Sequence, residues 1–452
     1  MRYDTVDTTT TIVAPATAAG GAVMVVRLSG SRAIEIADSI FRSRRKLADC
    51  PGYTLHYGTI CDERGDVVDD VVVALFRAPH SYTGDDSVEI TIHGSEHICS
   101  ELLRLCIEHG ATMATAGEFT RRAFLAGKMD LSRAEAVADI IASDSRWSHN
   151  IASTQMRGGY SAHLASLRDE LLRLCSLLEL ELDFSEEDVE FADRTARREI
   201  IDKVESQINS LTSSFNLGNA IKNGVNVAII GEPNVGKSTL LNALIEDDRA
   251  MVSAVAGTTR DTIEATTNID GVVFRFVDTA GLRTTDNELE QMGIDRTYRA
   301  IENAHVVLHV ATADNPTFEP LELNNREQHY IQVINKIDSV KSSDDVGDTD
   351  TIHISAKHHI GIDTLRATLR STVDTSKLNS HSVVVSNMRH YAALKSAGEA
   401  LRSARMALND NLSSELISED IRQVLHHLGE ITGEITSTDI LHSIFSKFCI
   451  GK

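Results

Sequence analysis

Eight residues, Gly231-Glu232-Pro233-Asn234-Val235-Gly236-Lys237-Ser238, set two glycines, an ammonium and a hydroxyl in the order GxxxxGKS. The apolar run Val225 to Ile230 precedes them, and Thr239-Leu240-Leu241-Asn242-Ala243-Leu244 opens a helical pattern after them. Strand, loop and helix are the setting in which such an octapeptide holds phosphate. The glycines let backbone N–H groups curl around phosphate oxygens, and the helix N-terminus adds the positive end of its dipole. Lys237 can reach the β- and γ-phosphates, and the Ser238 hydroxyl can ligate Mg²⁺.

Four further segments follow in chain order. Gly257-Thr258-Thr259-Arg260-Asp261 comes first, with Thr259 placed to close on Mg²⁺ when a γ-phosphate is present. The strand-like run Val272 to Val277 delivers Asp278-Thr279-Ala280-Gly281. Asp278 can hold Mg²⁺ through water there, and the Gly281 N–H can sense the γ-phosphate. Tyr330 to Ile334 delivers Asn335-Lys336-Ile337-Asp338. A carboxylate at Asp338 accepts hydrogen bonds from N1–H and the 2-amino group of guanine. Adenine lacks that amino group, so the expected substrate is GTP rather than ATP. Thr351 to Ile354 delivers Ser355-Ala356-Lys357, a backbone contact for the guanine oxygen. With Ser253, Ala254, Val255 and Ala256 ahead of Gly257, these segments make a guanine-nucleotide site. The set resembles the translation-factor-like GTPases.

Hydrolysis needs two more things. Many GTPases carry a glutamine directly after the glycine of DxxG to orient the attacking water. Leu282 stands there and cannot do so, while Asp286, Glu288 and Glu290 follow, and position alone does not choose among them. The transition state also gains negative charge near the β–γ bridge. No arginine finger is identifiable. The side-chain carbonyl of Asn234, with backbone carbonyls of Ser253 to Thr258, could hold a monovalent cation there; equally, Asn234 could do no more than stabilise the loop turn.

The elements that must position these groups are legible in outline. Residues 223–377 alternate strand-like and helical runs, the pattern of a parallel α/β sheet. Residues 123–222 read as helical, with Leu164, Leu167, Leu171, Leu174 and Leu178 at three- and four-residue steps. Residues 378–452 return to helix, with Leu394, Leu401 and Leu408 seven apart and an amphipathic run from Ile417 to Leu428. Helices on both sides predict a P-loop GTPase domain inserted into one all-α helical domain, rather than four domains in series. Residues 1–122 mix strand-like runs (Val23 to Leu28, Val71 to Phe76, Val88 to Ile92) with an amphipathic helix over 95–109, an α+β domain. The polar stretch Ser339 to Asp350 reads as a surface loop.

Composition sets the outer bounds. The 452 residues leave room for about three domains of ~100–200 residues. Hydrophobic residues at 42% and charged residues at 24% describe ordinary globular material. No run of ~18 apolar residues offers a membrane span, and the polar, Thr-rich start is not a secretory signal. Six cysteines without a CxxC pair fit a reducing cytoplasm, and Cys99 and Cys106 fall on one helix face as core. The net charge of −22 argues against broad RNA binding through phosphate neutralisation. An RNA substrate would then need a local basic patch or a basic partner.

Outside the nucleotide motifs, Gly117-Glu118-Phe119-Thr120-Arg121-Arg122-Ala123-Phe124, Lys128-Met129-Asp130-Leu131 and Ala134-Glu135-Ala136 stand together with Arg27-Leu28-Ser29-Gly30, Ser81-Tyr82-Thr83-Gly84-Asp85-Asp86 and the chain end Phe448-Cys449-Ile450-Gly451-Lys452. The combination resembles the TrmE/MnmE family of tRNA-modification GTPases over essentially the whole chain. The resemblance implies an N-terminal tetrahydrofolate-binding and dimerising domain, a helical domain split by the G domain, and a homodimer. It implies work with the FAD-dependent MnmG on the wobble uridine of certain tRNAs, adding an aminomethyl or carboxymethylaminomethyl group at carbon 5. Folate, such as (6S)-5-formyl-tetrahydrofolate, is the implied one-carbon source. Hydrolysis is expected to be potassium-activated, with G domains pairing across the dimer. By position, Glu290 matches the family's water-orienting acid, and Asn234, Ser253, Val255 and Thr258 match its potassium ligands. Ser253 stands where threonine is common, but that contact is made by the loop backbone. Arg27, Glu89, Lys128 and Lys452 match folate contacts: Arg and Lys can pair with the carboxylates, and Glu89 can bond the pterin N–H edge. Cys449 is placed near the folate, as nucleophile, proton donor or packing residue. The rival reading is a ribosome-assembly GTPase switch. Such proteins usually carry a basic RNA-binding appendage, and none is evident here.

Overall fold

The computed structural model describes residues 9–183, 194–246, 264–278, 300–318, 320, 328–340, 351–375, 383–410 and 412–452. They fall into two compact units, one of residues 1–138 with 426–452 and one of residues 139–425.

The first unit is built on seven strands. These are β1 (Ile12–Pro15), β2 (Val23–Ser29), β3 (Phe41–Arg42), β4 (Thr54–Cys61), β5 (Val67–Phe76), β6 (Ser87–His93) and β7 (Thr112–Met113), in the order β3-β4-β5-β6-β2-β1-β7. Neighbours are antiparallel except β1 and β7. Period-two alternation decides the faces: Val71, Val73 and Leu75 of β5 are buried while Val72 points out. Helices Ala33–Ile40 and Glu96–Glu108 supply Ile36, Ile40, Leu102 and Leu105 to the core cluster that holds Val26, Leu28, Val73 and Ile90. Cys99 and Cys106 lie in this core as expected, and burial pushes the Cys106 thiol up to about 12. The expected strands are present, but β5 begins at Val67, ahead of its apolar run.

The second unit carries the α/β sheet. Its strands are β8 (Val225–Ile230), β9 (Glu264–Ile269), β10 (Val272–Asp278), β11 (Val306–Thr312), β12 (His329–Asn335) and β13 (Thr351–His353), in the order β13-β12-β11-β8-β10-β9. All pairs are parallel except β9 with β10. The chain goes from β8 to β10 on one side, then to β11 on the other. The crevice beyond the carboxyl ends at that reversal is where such sheets bind ligands. β11 is buried at every position, as a strand covered on both faces must be.

Helix Gly159–Asp183 buries the whole leucine stripe Leu164, Leu167, Leu171, Leu174 and Leu178. Leu394 and Leu401 of helix Met388–Asn409 are equally enclosed. That helix meets helices that precede the sheet in sequence: Arg405 pairs with Glu205, and Tyr391 stacks on Phe215 at 4.4 Å. Most of the expected loop at 339–350 lies outside the described residues. Among the described residues, no helix is long and apolar enough to cross a membrane.

Candidate functional site

The phosphate loop leaves β8 and ends at helix Lys237–Glu246, and its backbone has room for little but glycine at two points. Gly231 has φ +143°, and a Cβ there would stand 2.1 Å from the Val310 carbonyl oxygen of β11. Gly236 has φ +97°, and a Cβ would meet Asn335 Nδ2 at 2.5 Å. Asn234 between them is left-handed at φ +66°. Alternating hands of this kind turn successive N–H groups to one side, the donor nest an oxyanion needs. Lys237 is nearly buried, and its Nζ donates to the carbonyls of Gly231 (2.7 Å) and Glu232 (2.9 Å), which holds the ammonium over the loop. Asn234, Ser238 and Thr239 are exposed at the mouth, while Val235 is buried beneath it. The loop and the hydroxyl of Ser238 therefore fit a nucleotide phosphate with a divalent cation.

Asn335 clasps the segments expected to read the base to this loop. Its Nδ2 donates to the Val235 carbonyl at 2.9 Å, and its Oδ1 accepts from the N–H groups of Lys336 (2.8 Å) and Ala356 (3.0 Å). Lys336, itself left-handed at φ +62°, lays its Nζ on the Asn234 carbonyl at 2.7 Å. The phosphate loop, Asn335 to Asp338 and Ser355 to Lys357 are thereby brought to one place. Ser355 donates its hydroxyl to Asp338 Oδ1, and His358 Nε2 stands 3.6 Å from Oδ2. The Ser355 hydrogen bond, more than any other contact, holds the Asp338 carboxyl below its usual range. Asp278 ends β10 as expected. Ser253, Ala254, Val255, Ala256, Gly257, Thr258, Thr259, Thr279, Ala280, Gly281 and Glu290 lie outside the described residues, as do Asp286 and Glu288.

A second cluster forms within the first unit. Arg27 of β2 and Glu89 of β6 are direct cross-strand partners, joined at 2.8 Å. The Arg27 guanidinium lies over the rings of Tyr82 (5.5 Å) and Phe119 (5.6 Å). Its Nη1 reaches the Gly451 carbonyl at 3.5 Å. The chain end is held there by the Ala116–Ile450 bridge and by Gly117 N–H donating to the Cys449 carbonyl. Gly451 must be glycine, because at φ +96° a Cβ would lie 2.0 Å from the Pro15 carbonyl oxygen. Cys449 is exposed, and Lys128 donates to the Pro79 carbonyl at 2.6 Å, on the loop that carries Tyr82. Arg27, Glu89 and the tail before Lys452 are therefore neighbours. The pairing with Glu89 makes Arg27 first a positioner of that acid rather than a free carboxylate partner. Tyr82 and Phe119 were not singled out in the sequence, although both stand inside its notable motifs. The signal would have been two aromatic rings within reach of a half-buried cation.

Comparison with known proteins bears on both clusters. Residues 11–128 match the model of the GTP-binding protein TrmE N-terminus, and residues 131–449 match that of the MnmE helical domain. The tRNA modification GTPase MnmE of Bacteroides fragilis is 46% identical over 462 residues, covering 98% of this chain and 99% of that protein. The protein of the same description from Cytophaga hutchinsonii is 47% identical over 455 residues, covering 98% of each. Among solved structures, Era from Aquifex aeolicus matches at 27% identity over 38% of this chain and 65% of that one, with a TM-score of 0.27, too slight a likeness to bear on function. A GTP hydrolase is what the phosphate loop and base-reading segments describe, and near-complete coverage by named relatives fixes the rest: the chain belongs to the TrmE/MnmE family of tRNA modification GTPases.

Proposed function

We propose that GTP hydrolysis by this chain drives modification of the wobble uridine of certain tRNAs at carbon 5, in concert with the FAD-dependent MnmG and a bound folate. The observation that carries this reading is the docking of the chain end beside the Arg27–Glu89 pair. A folate bound there would supply the one-carbon unit. Glu89, oriented by Arg27, accepts from the pterin N–H edge, while Lys128 and Lys452 reach its carboxylates. Cys449, exposed within the tail, is available as nucleophile or proton donor.

In the G domain, Lys237 and the loop N–H groups hold the phosphates, and Asp338 selects guanine. Ser238 and Thr259 are the groups that would hold magnesium, which offsets charge on the phosphates. Asn234, Ser253, Val255 and Thr258 are the potassium ligands we propose, and Glu290 orients the attacking water. We further propose that the G domain, residues 223–377, is an insertion between helical segments 123–222 and 378–452, with residues 1–122 as the folate-binding domain. The contacts of Arg405 with Glu205 and of Tyr391 with Phe215 support that reading. Homodimerisation is supported by an apolar sheet face on β4 and β5, where Leu55 and Tyr57 are each 72% exposed. A cytoplasmic setting fits all of this.

Equilibrium binding of 5-formyl-tetrahydrofolate to the full chain tests the folate site. The expected result is retention by the wild type and affinity about tenfold lower in Arg27→Gln, where Glu89 loses a charge-assisted hydrogen bond. Failure to bind any folate would remove the folate site from this reading, while the family, which rests on relatives matched over 98% of the chain, would stand. GTP turnover in KCl should exceed that in NaCl, and Glu290→Ala should be slow in both. Equal rates in the two salts remove the potassium ligands, and an unaffected Glu290→Ala removes that acid.

A further inference from the structure

Arg275 lies in β10, three residues before Asp278. Among the described residues its side chain has no hydrogen bond or ion pair, and its Nε is buried. Gly224 makes room for it: a Cβ at Gly224 would stand 2.9 Å from that Nε. Arg275 lines a cavity of about 160 Å³ together with Asp139, Asp144, Ser148, Lys222 and Ser386. Lys222 already holds Asp139 at 2.7 Å. Asp144 is exposed, and its carboxylate has no partner among the described residues. A buried guanidinium nitrogen without an acceptor is destabilising. Here the missing acceptor stands on the wall of the same small cavity.

We propose that Arg275 is a positioning residue for GTP hydrolysis, which pairs with Asp144 when this cavity closes in the hydrolysing conformation. Asp144 sits in the turn just before helix Arg146–Met156. The pair would fasten that turn to the strand ending in Asp278. β10 transmits the restraint because it is bonded on both sides at this point, with Arg275 opposite Asn226 of β8 and Thr266 of β9. A planar guanidinium and a carboxylate can form two parallel hydrogen bonds, so the closed state would be defined in orientation as well as distance.

Steady-state GTP turnover by the full chain tests the pair, independently of any folate. Arg275→Gln and Asp144→Asn should each lower kcat about tenfold while KM for GTP stays within about twofold, the pattern of a lost interaction made only on the way to the transition state. The double variant should be no slower than either single one, and the charge swap Arg275→Asp with Asp144→Arg should recover to within about threefold of wild type, as coupled residues do. Losses that multiply in the double variant overturn the proposal. So does a swap as slow as the single variants, or a loss confined to KM. Asp144 is exposed, so Asp144→Asn folds even if the Arg275 variants do not; unchanged kcat in that variant alone is decisive against the pair.

Discussion

Asp338→Asn should lower affinity for GTP by about 10²–10⁴-fold, from two charge-assisted hydrogen bonds worth about 1.5–3 kcal/mol each. The same change should create affinity for xanthosine triphosphate. Xanthine carries a carbonyl oxygen where guanine carries its 2-amino group. An asparagine amide can donate to that oxygen and still accept from N1–H. Asn335 still accepts from the Lys336 and Ala356 N–H groups, and an asparagine Oδ1 can still accept from Ser355, so the exchange is one of recognition rather than folding. Competition binding with both nucleotides reads it. Unchanged GTP affinity would mean that Asp338 does not read the base. The wild-type carboxyl is held below its usual range. Its depressed value keeps the anion present as pH falls through the ordinary carboxylate range, so guanine selectivity persists there and is lost only at lower pH.

Lys237→Ala should lower kcat for GTP hydrolysis by about 10²–10³-fold, the scale of losing one preorganised donor to developing charge. The ammonium is fixed in the loop by two carbonyls, at 2.7 and 2.9 Å, and needs little reorganisation to meet phosphate oxygens. Single-turnover hydrolysis at saturating GTP isolates the chemical step, and far-UV circular dichroism checks that the variant folds. A fully active Lys237→Ala would place the chemistry away from this loop.

Much of the nucleotide site was legible because its signals are local. GxxxxGKS needs only a strand before it and a helix after it, and the chain folds that way from Val225 to Glu246. The leucine stripe from Leu164 to Leu178 is likewise a short-range pattern, and every member is buried. What was not legible depends on register and return. Asn335 appears in the sequence as one letter of a base-reading motif. Its role as a clasp depends on β12 lying two strands from β8, which puts Nδ2 on a carbonyl a hundred residues away. Nor did the sequence show β9 as an antiparallel edge.

By itself, then, the order of residues determined the local framework: a glycine-bounded loop between a strand and a helix, and an acid, Asp278, at a strand end, each set by neighbours within a few positions. Tertiary structure alone decided which distant groups meet. It put Arg27 opposite Glu89 through cross-strand register, and it brought Gly451 back to Arg27 across 424 residues. It also left Arg275, without a partner among the described residues, on the wall of a cavity that Asp144 lines as well. Local periodicity carries no information about such meetings, because they arise from how whole elements pack and not from spacing along the chain.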